Sequence, residues 1–175
     1  LTATAPAVTL AGNVQVDGAA LSLGSSTKAI TLAGTTSILD TTDAGTTTTG
    51  GASTIDGTVD GTADNTQSLT LNAGTGGAIS FTSNAAVSGG SNDLATLTVT
   101  NSNGATFAAA VETQTSIVLT DTTDNQDIAF QGNVGTATLT TTANTYDVIF
   151  EEDVAVTNDV TFAAIRNLDL SLIHI

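Results

Sequence analysis

The side chains that could do chemistry in this chain are nearly all carboxylates. "DGTVDGTADN" sets Asp56, Asp60 and Asp64 four apart, and "TDTTDNQD" sets Asp121, Asp124 and Asp127 three apart. Calcium takes roughly six to eight oxygen ligands, often from acidic residues spaced about a glycine, so these six are the calcium candidates and calcium is the one candidate cofactor. Neither segment has the EF-hand loop pattern or the glycine-rich nonapeptide of calcium-binding β-rolls. Asp-Gly and Asp-Asn also form turns through their own backbone hydrogen bonds, and turns are the expected use of them here. "EED" at 151–153 reads the same way, as a solvated corner.

Other chemistry is harder to assemble. Glycoside hydrolysis needs two carboxylates at a set separation, which an acidic chain supplies easily. Elimination from acidic sugars also needs a base and a neutralising cation. Lys28 and Arg166 are the only strong bases and stand near opposite ends of the sequence, so no basic cluster is expected. Cysteine is absent, which removes thiol nucleophiles and disulfides. The single histidine, His174, falls in the terminal "LSLIHI". That hexapeptide is what CTGTCTCTTATACACATC gives on translation, a transposon mosaic end used in sequencing libraries. On that reading 1–169 is protein, a single solenoid fragment of something longer, and 170–175 is adapter. No catalytic or cofactor-binding residue is assigned, and the chain reads as non-enzymatic.

The formal charge of −15 disfavours nucleic acid and anionic lipid as partners. No apolar run approaches the ~20 residues that span a bilayer, so membrane insertion is not expected. Threonine makes up about a fifth of the chain, and residues of this type suit a pleated surface better than a helix. Val, Ile, Leu and Phe together make up about a quarter, above the ~20% below which disorder leads.

Those apolar residues recur in short apolar-polar-apolar triplets. Val8-Thr-Leu10, Ile30-Thr-Leu32, Ser53-Thr-Ile55, Ile79-Ser-Phe81, Ala105-Thr-Phe107, Ile128-Ala-Phe130 and Val148-Ile-Phe150 align as one column. Its last members, Leu10, Leu32, Ile55, Phe81, Phe107, Phe130 and Phe150, step by roughly 20–26 residues, the period of a solenoid. A second column follows through Val14, Ile38, Val59, Val87, Val111, Val134 and Val154. Three links share a phrase: "LAGNV", "IDGTV" and "FQGNV". A third, looser set of triplets runs Leu21-Ser-Leu23, Leu69-Thr-Leu71, Leu97-Thr-Val99, Ile117-Val-Leu119, Ala137-Thr-Leu139 and Val160-Thr-Phe162.

Strands this short cannot bury a core alone, but stacked coil on coil they bury continuous columns. The expected fold is therefore all-β: a parallel β-helix (β-solenoid) of about seven coils with a phenylalanine ladder inside. "ATFAAAVE" at 105–112 is the one helix-like stretch, and the register claims it as strand. Thr41 to Gly51 lacks a triplet and should be an enlarged corner. Outward pairs such as Thr98/Thr100 and Thr138/Thr140 suggest a water-ordering array. That pattern does not recur on one face of every coil, so strand propensity accounts for it. A β-sandwich would need longer, hairpin-joined strands.

"SLTLNAGTGGAISF", "LATLTVTNSNGATFAAAV" and "IAFQGNVGTATLTTT" resemble the repeat regions of large bacterial surface proteins, the filamentous-haemagglutinin-like adhesins and autotransporter-type passengers. The resemblance spans about residues 8–162 and is one of repeat style. It implies a parallel β-helix exported to the bacterial outer surface or beyond, serving as stalk or adhesive wall. Its expected partners are a host or surface glycan or protein, and the neighbouring coils of a longer chain.

Overall fold

A computed structural model describes residues 1–3, 7–90, 92–163 and 165–170. Among these the regular structure is entirely β, and every pair of strands within its three sheets is parallel. The chain winds as a β-solenoid of about seven turns with three faces. At ~4.8 Å between paired strands its length is roughly 30 Å.

The first face is an eight-stranded sheet. Its strands are Thr2–Ala3, Leu21–Gly24, Ser53–Asp56, Ile79–Phe81, Ala105–Phe107, Asp127–Phe130, Asp147–Phe150 and Asn167–Leu170, stacked in that order. Inward residues alternate with outward ones, and the register carries Leu23 onto Ile55, then Phe81, Phe107, Phe130, Phe150 and Leu170.

The second face begins with Val8–Leu10, Ile30–Leu32 and Val59–Gly61. It continues through bridges at Val87 into the opening residues of Val111–Leu119, Val134–Thr141 and Val154–Phe162. Its inward column is Val8, Ile30, Val59, Val87, Val111, Val134 and Val154.

The third face holds Val14–Gln15, Thr36–Asp40, Ser68–Asn72 and Leu94–Asn101, then the closing residues of the three long strands. Those long strands turn the corner from the second face to the third at register shifts, such as the one between Glu112 and Ser116. A bulge of this kind bends a strand without ending it.

All seven residues expected in the internal ladder are buried, but two belong to another column. Leu10 pairs with Leu32, and Leu32 with Gly61, on the second face; Ile55 rests on Leu23 of the first. In the first two coils every face carries the same apolar-polar-apolar phrase, so alternation cannot tell one face from the next. The spacing from Leu32 to Ile55 then imitates one full coil, because the corner from Thr41 to Gly50 lengthens the true one.

The same ambiguity affects the other columns. Val14 and Ile38 lie on the third face, where Val14 pairs with Leu39 and Ile38 with Thr70. Leu139, not Ala137, continues the line of Leu97 and Ile117. "LAGNV" occupies a different corner from "IDGTV" and "FQGNV". From Ser53 onward, the first-face column and the valine column both run as the spacing predicts.

The helix-like stretch is strand at Ala105–Phe107 and again from Val111, with a corner between. Residues 171–175, including His174, lie outside the described residues. Leu170 closes the last first-face strand, in register with Phe150 of the coil before.

Candidate interaction surface

Of the six candidates Asp64, Asp121 and Asp124 lie between strands, Asp56 and Asp127 at strand ends, and Asp60 within the strand Val59–Gly61. Asp56 ends a first-face strand, and its carboxylate accepts hydrogen bonds from Thr82 Oγ1 at 2.6 Å and Asn84 Nδ2 at 3.3 Å. Asp60 lies on the second face and accepts the Gly90 N–H at 2.7 Å. Asp64 occupies the next loop and accepts the Asp93 N–H at 3.0 Å. Each of the three therefore ties its coil to the following one, and the three stand on successive parts of the turn.

The second trio is arranged similarly. Asp124 accepts Thr145 Oγ1 at 2.5 Å, again one coil on. Asp127 lies 3.5 Å from Arg166 Nη2. Asp121 is half-buried; desolvation pushes its carboxyl above the ordinary range, a bond from the Thr122 backbone opposes this, and Asp124 adds to it. Among the described residues no group of three or more His, Asp or Glu side chains is placed to hold a metal ion. Asp56, Asp60, Asp64, Asp124 and Asp127 each bond or pair across coils, and Asp60 does so from within a strand and not from the turn expected of it.

Arg166 joins three coils on the edge of the first face. Its Nε and Nη2 donate to the two oxygens of Asp147 at 2.7 and 2.6 Å, and its Nη1 donates to Asn125 Oδ1 at 2.8 Å. The paired bonds to Asp147 hold that carboxyl below the usual range. This clamp had no signal in the sequence, because Asn125, Asp147 and Arg166 are far apart until the coils stack.

Two further polar clusters were equally hidden. The Asp40 carboxylate is buried at a corner, accepting the Thr42 N–H and Oγ1, each at 2.6 Å, while Asn72 Nδ2 of the next coil donates to Thr42 Oγ1 at 3.1 Å. Tyr146 is fully buried and its hydroxyl donates to the Leu119 carbonyl at 3.0 Å. Burial pushes that phenol above its ordinary value. Both clusters satisfy backbone and side-chain polar groups that a corner takes out of water.

The outer wall is mainly hydroxyl. On the third face one outward row runs Thr36, Ser68, Thr96, Ser116 and Thr138, and the next contains Thr70, Thr98, Thr140 and Thr161, interrupted by Val118. Some of these hydroxyls pair along the stack: Thr96 and Ser116 lie 3.0 Å apart, and Thr138 Oγ1 donates to the Thr115 carbonyl at 3.1 Å. The aromatic side chains point elsewhere. Phe81, Phe107, Phe130, Phe150 and Tyr146 are buried, and the half-buried Phe162 faces the open last coil. Among the described residues, then, the wall offers hydrogen-bonding groups and carboxylates and no aromatic ring on which a sugar could stack.

No family model, curated protein or solved structure matches the chain. The β-solenoid architecture therefore rests on the chain's own register.

Proposed function

We propose that this chain is a non-enzymatic shaft segment of an exported bacterial surface protein, one that sets distance and presents a contact wall to surface or glycan partners. The observation that carries this reading is the continuity of the inter-coil pairing. The first face stacks eight strands in unbroken parallel order, and Asp60, Tyr146 and Arg166 add ties between coils. A structure built this way keeps a fixed rise per coil, which is what a spacer requires. The repeat style shared with filamentous-haemagglutinin-like and autotransporter-type proteins supports the same reading.

The hydroxyl wall and the acidic charge suit contact through hydrogen bonds in water. The carboxylates are dispersed, and Asp56, Asp60, Asp64 and Asp124 are engaged with a neighbouring coil, which gives no support to a hydrolytic pair. The test is antibody labelling of intact cells that produce the full-length protein, alongside a polysaccharide turnover assay on this chain. Surface labelling without permeabilisation and binding without turnover are expected. Labelling only after permeabilisation, or sustained polysaccharide cleavage, would overturn the reading.

A further inference from the structure

The outer side of the third face is a lattice of hydroxyl and methyl groups from which charge is excluded. Along the sequence, Thr-x-Thr pairs mark only some coils. The register shows that the interruptions keep the pattern's chemistry. In the first outward row, up to Thr138, threonine gives way only to serine, at Ser68 and Ser116, and the hydroxyl is kept. In the second it gives way only to Ile38 and Val118, and the branched methyl is kept. Neighbours within a row are ~4.8 Å apart and the rows ~6.6 Å apart. Neither row carries a charge up to Thr140, although the chain's formal charge is −15. Asp40, the one carboxylate among the third-face residues of those coils, is buried at the corner, and Asp159 comes only beyond Thr138.

We infer that the third face binds the surface of ice, its two rows holding a layer of water continuous with the crystal. Two observations select this occupant. The first is spacing: the rows repeat in two directions at distances near the oxygen repeats of hexagonal ice, so hydroxyls on successive coils can bond to successive lattice waters. The branched methyls between them restrict the orientations of first-shell water. Hydrogen bonds along the stack, Thr96 with Ser116 and Thr138 with the Thr115 carbonyl, fix side chains before any contact is made. The second is neutrality. An ice plane is uncharged, and a carboxylate pressed against it would lose its hydration without gaining a partner. A cationic partner would instead be drawn to the carboxylates of the other faces and corners. The inference needs only the third face and does not depend on the proposed function.

The experiment is partition of the 175-residue chain between slowly growing ice and the remaining solution, with circular dichroism on every variant. Wild type should concentrate in the ice and, at micromolar concentration, stop fine ice grains from coarsening. Thr98→Tyr, in the middle of the second row, should lose both effects while keeping its strand signature. Thr70→Tyr serves in its place if T98Y does not fold. Thr106→Tyr, outward on the first face between Ser80 and Ala129, should behave as wild type. A wild-type chain left behind in the liquid would overturn the inference. So would equal losses in T98Y and T106Y, since no single face would then be responsible. Retention on crystalline cellulose without uptake into ice would assign the face to a polysaccharide and overturn it as well.

Discussion

Phe107 and Phe130 lie with ring centroids 4.9 Å apart and planes 8° from parallel, one coil above the other. Phe150 continues the stack at 5.2 Å and 11°, while Phe81 is tilted by 33° against Phe107. Offset stacking of this kind adds to the burial each ring already contributes, and the spacing between rings matches the spacing between strands. The ladder thus ties side-chain packing to backbone pairing.

Removing a middle rung should therefore be costly. Phe107→Ala leaves a cavity between Phe81 and Phe130 and should lower unfolding free energy by about 3–5 kcal/mol in a urea titration. Phe107→Asp puts an unpaired charge in the same place and should prevent the strand signature from forming. Thr98→Ser, on the outer wall, should change stability by less than about 0.5 kcal/mol. An F107A variant as stable as wild type would contradict the ladder.

Two corner glycines should respond in opposite ways. Gly24 has φ +84°, and a Cβ there would stand 2.4 Å from the Asp56 carbonyl oxygen of the next coil. Gly24→Ala should cost more than about 1 kcal/mol, since both the backbone and the close approach of coils oppose it. Gly12 has nothing within 4 Å of a Cβ and no positive φ. Gly12→Ala should be neutral or slightly stabilising. Thermal melts of the pair decide the matter, and equal losses would contradict the coil-on-coil contact at Gly24.

Two aspartates should give opposite pH signatures. The folded Asp147 carboxyl is held low by Arg166, so its contribution is present above the unfolded value of about 3.9 and is lost as pH falls through the folded value. The deficit of Asp147→Asn should persist from neutral pH down to about pH 5 and shrink in stronger acid. Asp121 is shifted upward by burial, so its cost is present above its folded value and is relieved in acid. Asp121→Asn should gain stability at neutral pH and lose that advantage as pH falls. Urea melts across this range would contradict the account if both variants moved the same way.

Calcium should not stabilise the chain. Asp56, Asp60 and Asp64 each bond to a different residue of the following coil and do not converge. Melting temperature should be unchanged by millimolar calcium. A rise that Asp60→Asn with Asp64→Asn abolishes would establish a site there.

Much of the architecture was legible because columns of Phe81, Phe107, Phe130 and Phe150, and of Val87, Val111, Val134 and Val154, recur with little insertion between coils. The first two coils were not legible in phase. Leu10, Leu23 and Leu32 sit in near-identical triplets, and a period of two records which side of a strand faces inward without recording which face of the coil holds it. The long corner beginning at Thr41 was visible as a stretch without triplets, but its effect on phase was not. Of the surface, the turns at Asp56-Gly57 and Asp124-Asn125 could be read from those residue pairs, whereas Asp60-Gly61 reads the same way and is strand. The Arg166 clamp and the Asp40 corner could not, because each joins residues whose proximity exists only after the coils stack.

The register of the early coils carries the account, and cysteine cross-linking reads it directly. The chain has no cysteine of its own, so introduced pairs report without interference. Ser22 and Thr54 are paired on the outer side of the first face, within the reach a disulfide requires, whereas Thr31 pairs with Asp60 on the second. Oxidation should cross-link Ser22→Cys with Thr54→Cys and leave Thr31→Cys with Thr54→Cys unlinked. Cross-linking of the second pair and not the first would contradict the register on which the solenoid is built.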